Sequence, residues 1–150
     1  MYIAQTKRLT TAGAHKIMLT AIEKASEAGI AVSVAITDAG GHLLLLERME
    51  GGRFHTVHSA LTKAVCASSN KRPTSSRGAQ AQQLDTMRAI GLALAAGPNR
   101  WTALEGGCPI FSGGECIGGV GVSGGDWTTD EQIAKQAVES IGAVWHLDAS

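Results

Sequence analysis

Two apolar runs, each turned back on itself by a pair of glycines, constrain this chain most. In the first, Val32, Val34 and Ile36 alternate with Ala31, Ser33 and Ala35, which is the period of a strand. Asp38 follows, then Gly40-Gly41. An aspartate that can bond its own backbone and glycines that admit positive φ make this hairpin chemistry. The chain returns through Leu43, Leu44, Leu45 and Leu46 into Glu47-Arg48-Met49-Glu50 and a second pair, Gly51-Gly52. That return strand is apolar on both faces, which predicts a central position covered on both sides. The second run, from Cys108 to Gly125, turns at Gly113-Gly114, with Ile117, Val120 and Val122 as strand residues. Gly118, Gly119 and Gly121 interrupt it. They mark either a bulge or a place where a ligand lies against bare backbone.

Helical patterns surround the hairpins. Over 10–28, Ala14, Ile17, Met18, Ala21, Ile22 and Ala25 form one apolar stripe, with Thr10 or Thr11 as cap and Gly29 as stop. Residues 54–70 carry Val57, Leu61, Ala64 and Val65 at helical spacing, and Pro73 ends that segment. A further helix is predicted over 78–95 and a last one over 128–145, opened by a Thr128–Glu131 capping box. Two hairpins require antiparallel pairing, and helices must cover the sheet. The expected class is α+β, as one domain over 1–150.

Lys and Arg number 13, as do Asp and Glu, so the formal net charge is +0. Nucleic acid and anionic membranes need a basic excess, and neither is expected as a partner. The start of the chain lacks the order of a signal peptide, and the three cysteines, Cys66, Cys108 and Cys116, form no Cys-x-x-Cys pair. These features fit a reducing, cytoplasmic setting.

The sequence holds no phosphate loop, no Gly-x-Ser-x-Gly elbow and no His-Glu-x-x-His. What remains is charge beside glycine. Arg48 emerges from an apolar strand just before Gly51-Gly52, Lys63 lies one helix later, and Glu105 precedes Gly106-Gly107. Taken alone, Arg48 reads better as a solvated strand end paired with Glu47 or Glu50, because such surface ion pairs are common and weak. Met49 fits core packing better than ligation. His55 and His58 are spaced i, i+3, without an evident third metal ligand. His15 flanks the first apolar stripe, where an imidazole can reach haem iron or simply be a satisfied boundary residue.

The ordered motifs resemble a known family. "VSVAITDAGGHLLLLERMEGG", "SALTKA", "LEGGCPIF" and "GECIGGVGVSGGDWTTDEQIAKQAVE" are similar to the GlcG/HbpS-like haem-binding, or haem-degrading, family. That family includes the C-terminal domain of PduO-type cobalamin adenosyltransferases. The likeness spans about residues 8 to 143. It implies a profilin-like three-layer α/β/α fold, with an antiparallel sheet of about five strands and helices on both faces. It also implies a homo-oligomer larger than a dimer, often an octamer, and haem binding in some members, several of which occur beside small-molecule catabolic genes. Asp38, Gly40, Gly41, Arg48, Met49, Lys63, Ala64, Glu105, Gly106, Gly107 and Pro109 match its motifs. So do Gly118, Val120, Gly121, Val122, Ser123 and Gly124.

With that likeness, the charged loops imply a pocket for a carboxylate-bearing ligand. Arg48, Met49, Lys63, Glu105, Gly106 and the backbone of Gly118, Gly119 and Gly121 would line it. Two functions follow. One is a small-ligand-binding protein, with haem as candidate cofactor, propionates on Arg48 or Lys63 and iron on His15. The other is an isomerase, hydratase or hydrolase acting on a small organic acid, with Glu105 and Lys63 as catalytic groups and Arg48 clamping a carboxylate.

Overall fold

The structure, a computed structural model, describes residues 1–147. Helix α1 (Thr11–Glu27) is capped by Thr10, whose hydroxyl accepts from the Gly13 N–H at 3.0 Å. Strands β1 (Ser33–Asp38) and β2 (Leu43–Arg48) form the first hairpin. Asp38 Oδ1 accepts from the backbone N–H groups of Gly40 and His42 at 2.9 and 3.0 Å, and Gly41 takes φ +82°. Helices α2 (Thr56–Asn70) and α3 (Thr86–Ala96) follow, then β3 (Gly107–Ser112), β4 (Glu115–Ser123) and α4 (Trp127–Glu139).

All strand pairs are antiparallel, in the order β2-β1-β4-β3. Helices α1 and α4 cover one face and α2 the other, so the three-layer α+β expectation holds. The α1/α4 face is built of branched side chains. Val32, Val34, Ile36, Ile110, Val120 and Val122 meet Ile17, Ala21, Ile133 and Val138 there. The α2 face is built of small ones, with Ala35 meeting Ala60 and Ala64. Opposite Ser33, Ala35 and Thr37 on β1 lie Ser123, Gly121 and Gly119 on β4.

Four expectations change. The sheet has four strands rather than about five. Beside β3, among the described residues, the chain makes a single-residue bridge, Val144 with Phe111, after Gly142 turns it at φ +77°. Strand β2 is an edge strand rather than a buried central one, and Leu43, Leu44 and Leu46 are 46%, 40% and 37% exposed. An unbroken apolar run marks a strand without saying what covers it. The helix expected over 78–95 begins at Thr86, because residues 76–84 close a small loop in which Gly78 N–H donates to Gln82 O and Leu84 N–H to Ser76 O. Helix α4 is capped by Asp126, which accepts from Thr129 N–H at 2.8 Å, and not by a Thr128–Glu131 box. It ends at Glu139 rather than continuing to residue 145.

Candidate functional site

Helix α2 lies so close to the sheet that three glycines have no room for a side chain. A Cβ on Gly121 would stand 2.0 Å from Ala60 O, and one on Gly119 would stand 2.3 Å from Ala64 O. One on Gly107 would stand 2.5 Å from Lys63 O. The expectation that the Gly118–Gly121 backbone faces a ligand is therefore corrected: α2 occupies the space over Gly119 and Gly121. Gly118 is held instead against Thr37 O, 2.3 Å from where its Cβ would be. Hydroxyls fix α2 on this surface. Ser33 Oγ and Thr56 Oγ1 are 2.7 Å apart, and Ser59 Oγ and Ser123 Oγ are 2.8 Å apart.

This close seat carries Lys63 inward. Its side chain is 5% exposed. The Lys63 ammonium donates to Val122 O at 2.8 Å and to Asp130 Oδ2 at 3.4 Å. Asp130, in the first turn of α4, also accepts the Gly125 N–H on Oδ1 at 2.8 Å. Burial pushes the Lys63 ammonium below the ordinary lysine value, while Asp130 and then Glu105 pull it back up. Gly106 takes φ +118°, and a Cβ there would meet Val122 O at 2.5 Å and Lys63 Nζ at 2.9 Å. Its expected role against a ligand is thus filled by Lys63 itself.

Above this pair opens a cleft of about 330 Å³. Glu105, Thr56, Ser123 and the α4 N-terminal loop line it, and its rim carries Arg53, Leu104 and Trp127, the last two 59% and 68% exposed. Arg53 Nη2 lies 3.4 Å from Gly124 O. The cleft thus offers an arginine fork, a half-buried carboxylate and an apolar rim over a lysine paired with Asp130.

The expected site residues divide. Lys63, Glu105 and Gly106 come together. Arg48 does not join them: it is exposed at the end of the edge strand, and its Nη1 donates to Gly52 O at 2.6 Å. Met49 faces the other side of the sheet, packs against the α1/α4 core, and accepts the Val32 N–H on sulfur at 3.5 Å. His15 stands exposed on α1. The sheet therefore separates His15 from Lys63, and one haem in one chain cannot place iron on His15 and propionates on Lys63. His15 lines neither the Lys63 cleft nor the cleft between the hairpin turns and the end of α2. No group of three or more His, Cys, Asp or Glu among the described residues could hold a metal ion. No helix among them is long and apolar enough to cross a membrane. Sequence reasoning missed Asp130 and Arg53. Asp130 reads as ordinary first-turn acid, and only the Lys63 side chain reaching past Val122 on β4 to the first turn of α4 reveals its partner. Arg53 was detectable as the second arginine beside Gly51-Gly52.

A family model described as haem degrading protein HbpS-like matches residues 9–139. Protein GlcG of Escherichia coli is 35% identical over 110 residues, 73% of this chain and 77% of that protein. A crystal structure of a PduOC:haem complex superposes with a TM-score of 0.82 at 26% identity, covering 94% of this chain and 100% of that one. A variant of HbpS from Streptomyces reticuli superposes at 0.76 with 32% identity, covering 91% of this chain and 88% of that one.

Proposed function

The chain belongs to the family of haem-degrading HbpS-like proteins, and we propose that it is a ligand-binding member whose Lys63 cleft takes a small carboxylate-bearing molecule. The observation that carries this is a nearly buried lysine held between Asp130 and the Val122 carbonyl, directly under an open cleft with an arginine on its rim. A buried ammonium without a partner costs several kcal/mol, so Asp130 holds it charged and in place. Arg53 then supplies the planar fork that grips a carboxylate, and Trp127 and Leu104 shield the ligand's apolar part. At about 330 Å³ the cleft lies at the small end of ligand sites, which suits a metabolite rather than a macrocycle. Calorimetry with a panel of small organic acids tests this. At least one acid should bind, and Arg53→Ala should weaken it about tenfold or more. Equal affinity in Arg53→Ala would remove the cleft from consideration. The same panel, followed for turnover, tests Glu105 and Lys63 as a catalytic pair.

The haem complex of a similar structure favours a second reading, in which His15 ligates haem iron. That imidazole is exposed, with Leu19 67% exposed one turn along α1, so a second copy of the chain would have to cover the macrocycle. Self-assembly has its own support. Helix α3 buries none of its residues, and Met87 and Leu94 are 80% and 72% exposed. A helix apolar on this scale calls for a partner surface. Haemin titration of wild type and His15→Ala, with light scattering on both, tests this reading. A Soret band that His15→Ala leaves unchanged would exclude His15 as ligand, and a monomer at micromolar concentration would exclude the assembly.

A further inference from the structure

The other end of the sheet holds a larger cleft, of about 780 Å³, between the two hairpin turns and the end of α2. We propose that this cleft is a second ligand site, and that Lys7, Lys71 and Arg72 fit it to a small organic dianion. It stands independently of the Lys63 cleft and does not rest on that reading.

Charge comes first. Lys7, Lys71 and Arg72 line the cleft together with His146, and Glu115 is the one carboxylate among the described residues lining it, so with the imidazole neutral they leave a local excess of two positive charges. Among the described residues none of the three cations is in a salt bridge. Glu115 accepts the Lys7 backbone N–H on Oε2 at 2.8 Å and makes no salt bridge with the three cations. A ligand carrying two negative charges balances the site.

The cations are also placed by the fold. Leu9 is buried in the α1/α4 core, and the Lys7–Glu115 bond ties the segment before it to the β3–β4 turn. Lys7 is therefore held at the cleft rather than on a loose end. Lys71 caps α2 in the left-handed region at φ +58°, with its N–H on Ala67 O at 2.9 Å. Glycine or asparagine fits that conformation better than lysine. Arg72 Nη2 donates to Gly78 O, which orients the guanidinium while leaving further N–H groups for a ligand. Phe111 and Pro73 complete the lining with apolar surface, so the dianion has room for an apolar body.

Phosphomonoesters and dicarboxylates share this chemistry. Phenyl phosphate and phthalate serve as probes, with benzoate as the monoanion control at matched ionic strength, all read by calorimetry. At least one dianion should bind about tenfold or more tightly than benzoate, and which one gains names the oxyanion. Lys7→Gln and Lys71→Asn should each weaken that dianion about fivefold or more. Asparagine keeps the left-handed cap, so loss of folding does not confuse the result, and Lys71→Arg should restore binding. Arg53→Ala, which disables the Lys63 cleft, should leave it unchanged. Equal affinity for dianions and benzoate, no saturation up to millimolar concentration, or indifference to both Lys7→Gln and Lys71→Asn would overturn the site.

Discussion

The two faces of the sheet are held by opposite means. On the α1/α4 face, Val34, Ile36, Ile110, Val120 and Val122 fill space with branched side chains that meet Ile17 and Ile133. On the α2 face the side chains are almost absent, and α2 rests its backbone on Gly119 and Gly121. The first face is cohesive through buried area, which scales with the number of methyl groups. The second gains little from area and depends on close approach and hydroxyl bonds such as Ser59 with Ser123. The difference teaches where function can sit. A face packed with large side chains holds its helices at a distance, whereas the bare face lets a helix carry a long polar side chain, Lys63, down to the Val122 carbonyl on β4.

The comparison breaks most visibly at Gly121. An alanine Cβ there would stand 2.0 Å from Ala60 O and 2.7 Å from Ala64 N, both backbone atoms that cannot rotate away. Helix α2 must lift, and the Lys63 seat and the hydroxyl bonds lift with it. Gly121→Ala should lose more than about 4 kcal/mol, in the rare class of severe single substitutions. Urea unfolding checks this, and a loss under about 1 kcal/mol would show that α2 is not seated as described.

Next in size is Lys63. Lys63→Met leaves Asp130 buried without its cation and should cost about 3–5 kcal/mol. Adding Asp130→Asn removes the orphan charge and should recover much of that loss. The pH dependence has a definite sign. Burial lowers the folded-state value of Lys63, so between it and the unfolded value of 10.5 the unfolded chain binds more protons. The contribution of Lys63 to stability is therefore most favourable above 10.5 and falls as pH drops through the folded value. Wild type should gain stability relative to Lys63→Met as pH rises through the alkaline range. Parallel curves for the two proteins would contradict the buried, charged lysine.

The branched face should respond more mildly. Ile36→Val removes one methyl from a fully buried side chain and should cost about 0.5–1.5 kcal/mol. This asymmetry explains what could be read before the structure. Val32, Val34 and Ile36 announce their strand by alternation, and Ala14, Ile17 and Ala21 announce their helix by stripe, because large apolar residues leave a periodic trace. Glycine leaves none. Gly119 and Gly121 looked like a ligand surface because sequence cannot say whether bare backbone meets a small molecule or another backbone. Leu43 to Leu46 misled for a related reason, since an apolar run looks the same when its cover lies inside the chain or is missing from it. Lys63, Glu105 and Gly106 stand out through the family motifs, but Asp130 becomes visible only when Lys63 is seen to reach past β4 to the first turn of α4.

The smallest expected effect concerns the two arginines that flank Gly51-Gly52. The sequence motifs point to Arg48 as the carboxylate clamp, whereas the turn carries Arg53 to the cleft. Gly51 takes φ +84°, and past it Arg53 lines the Lys63 cleft while Arg48 stays on the exposed edge with Gly52 O as its partner. A lysine at 48 can still donate to that carbonyl, so Arg48→Lys should change stability by no more than about 0.5 kcal/mol. It should also leave the affinity for every small acid unchanged. Arg53→Lys keeps the charge but loses the planar fork, and should weaken binding while folding normally. Measuring both variants against the same ligand, with melting temperature as control, separates them. Equal weakening by Arg48→Lys would place the edge arginine in the working site, by way of a second copy of the chain whose β2 edge reaches the cleft. The bare face would then be completed from outside, and the assignment of the clamp to Arg53 alone would fail.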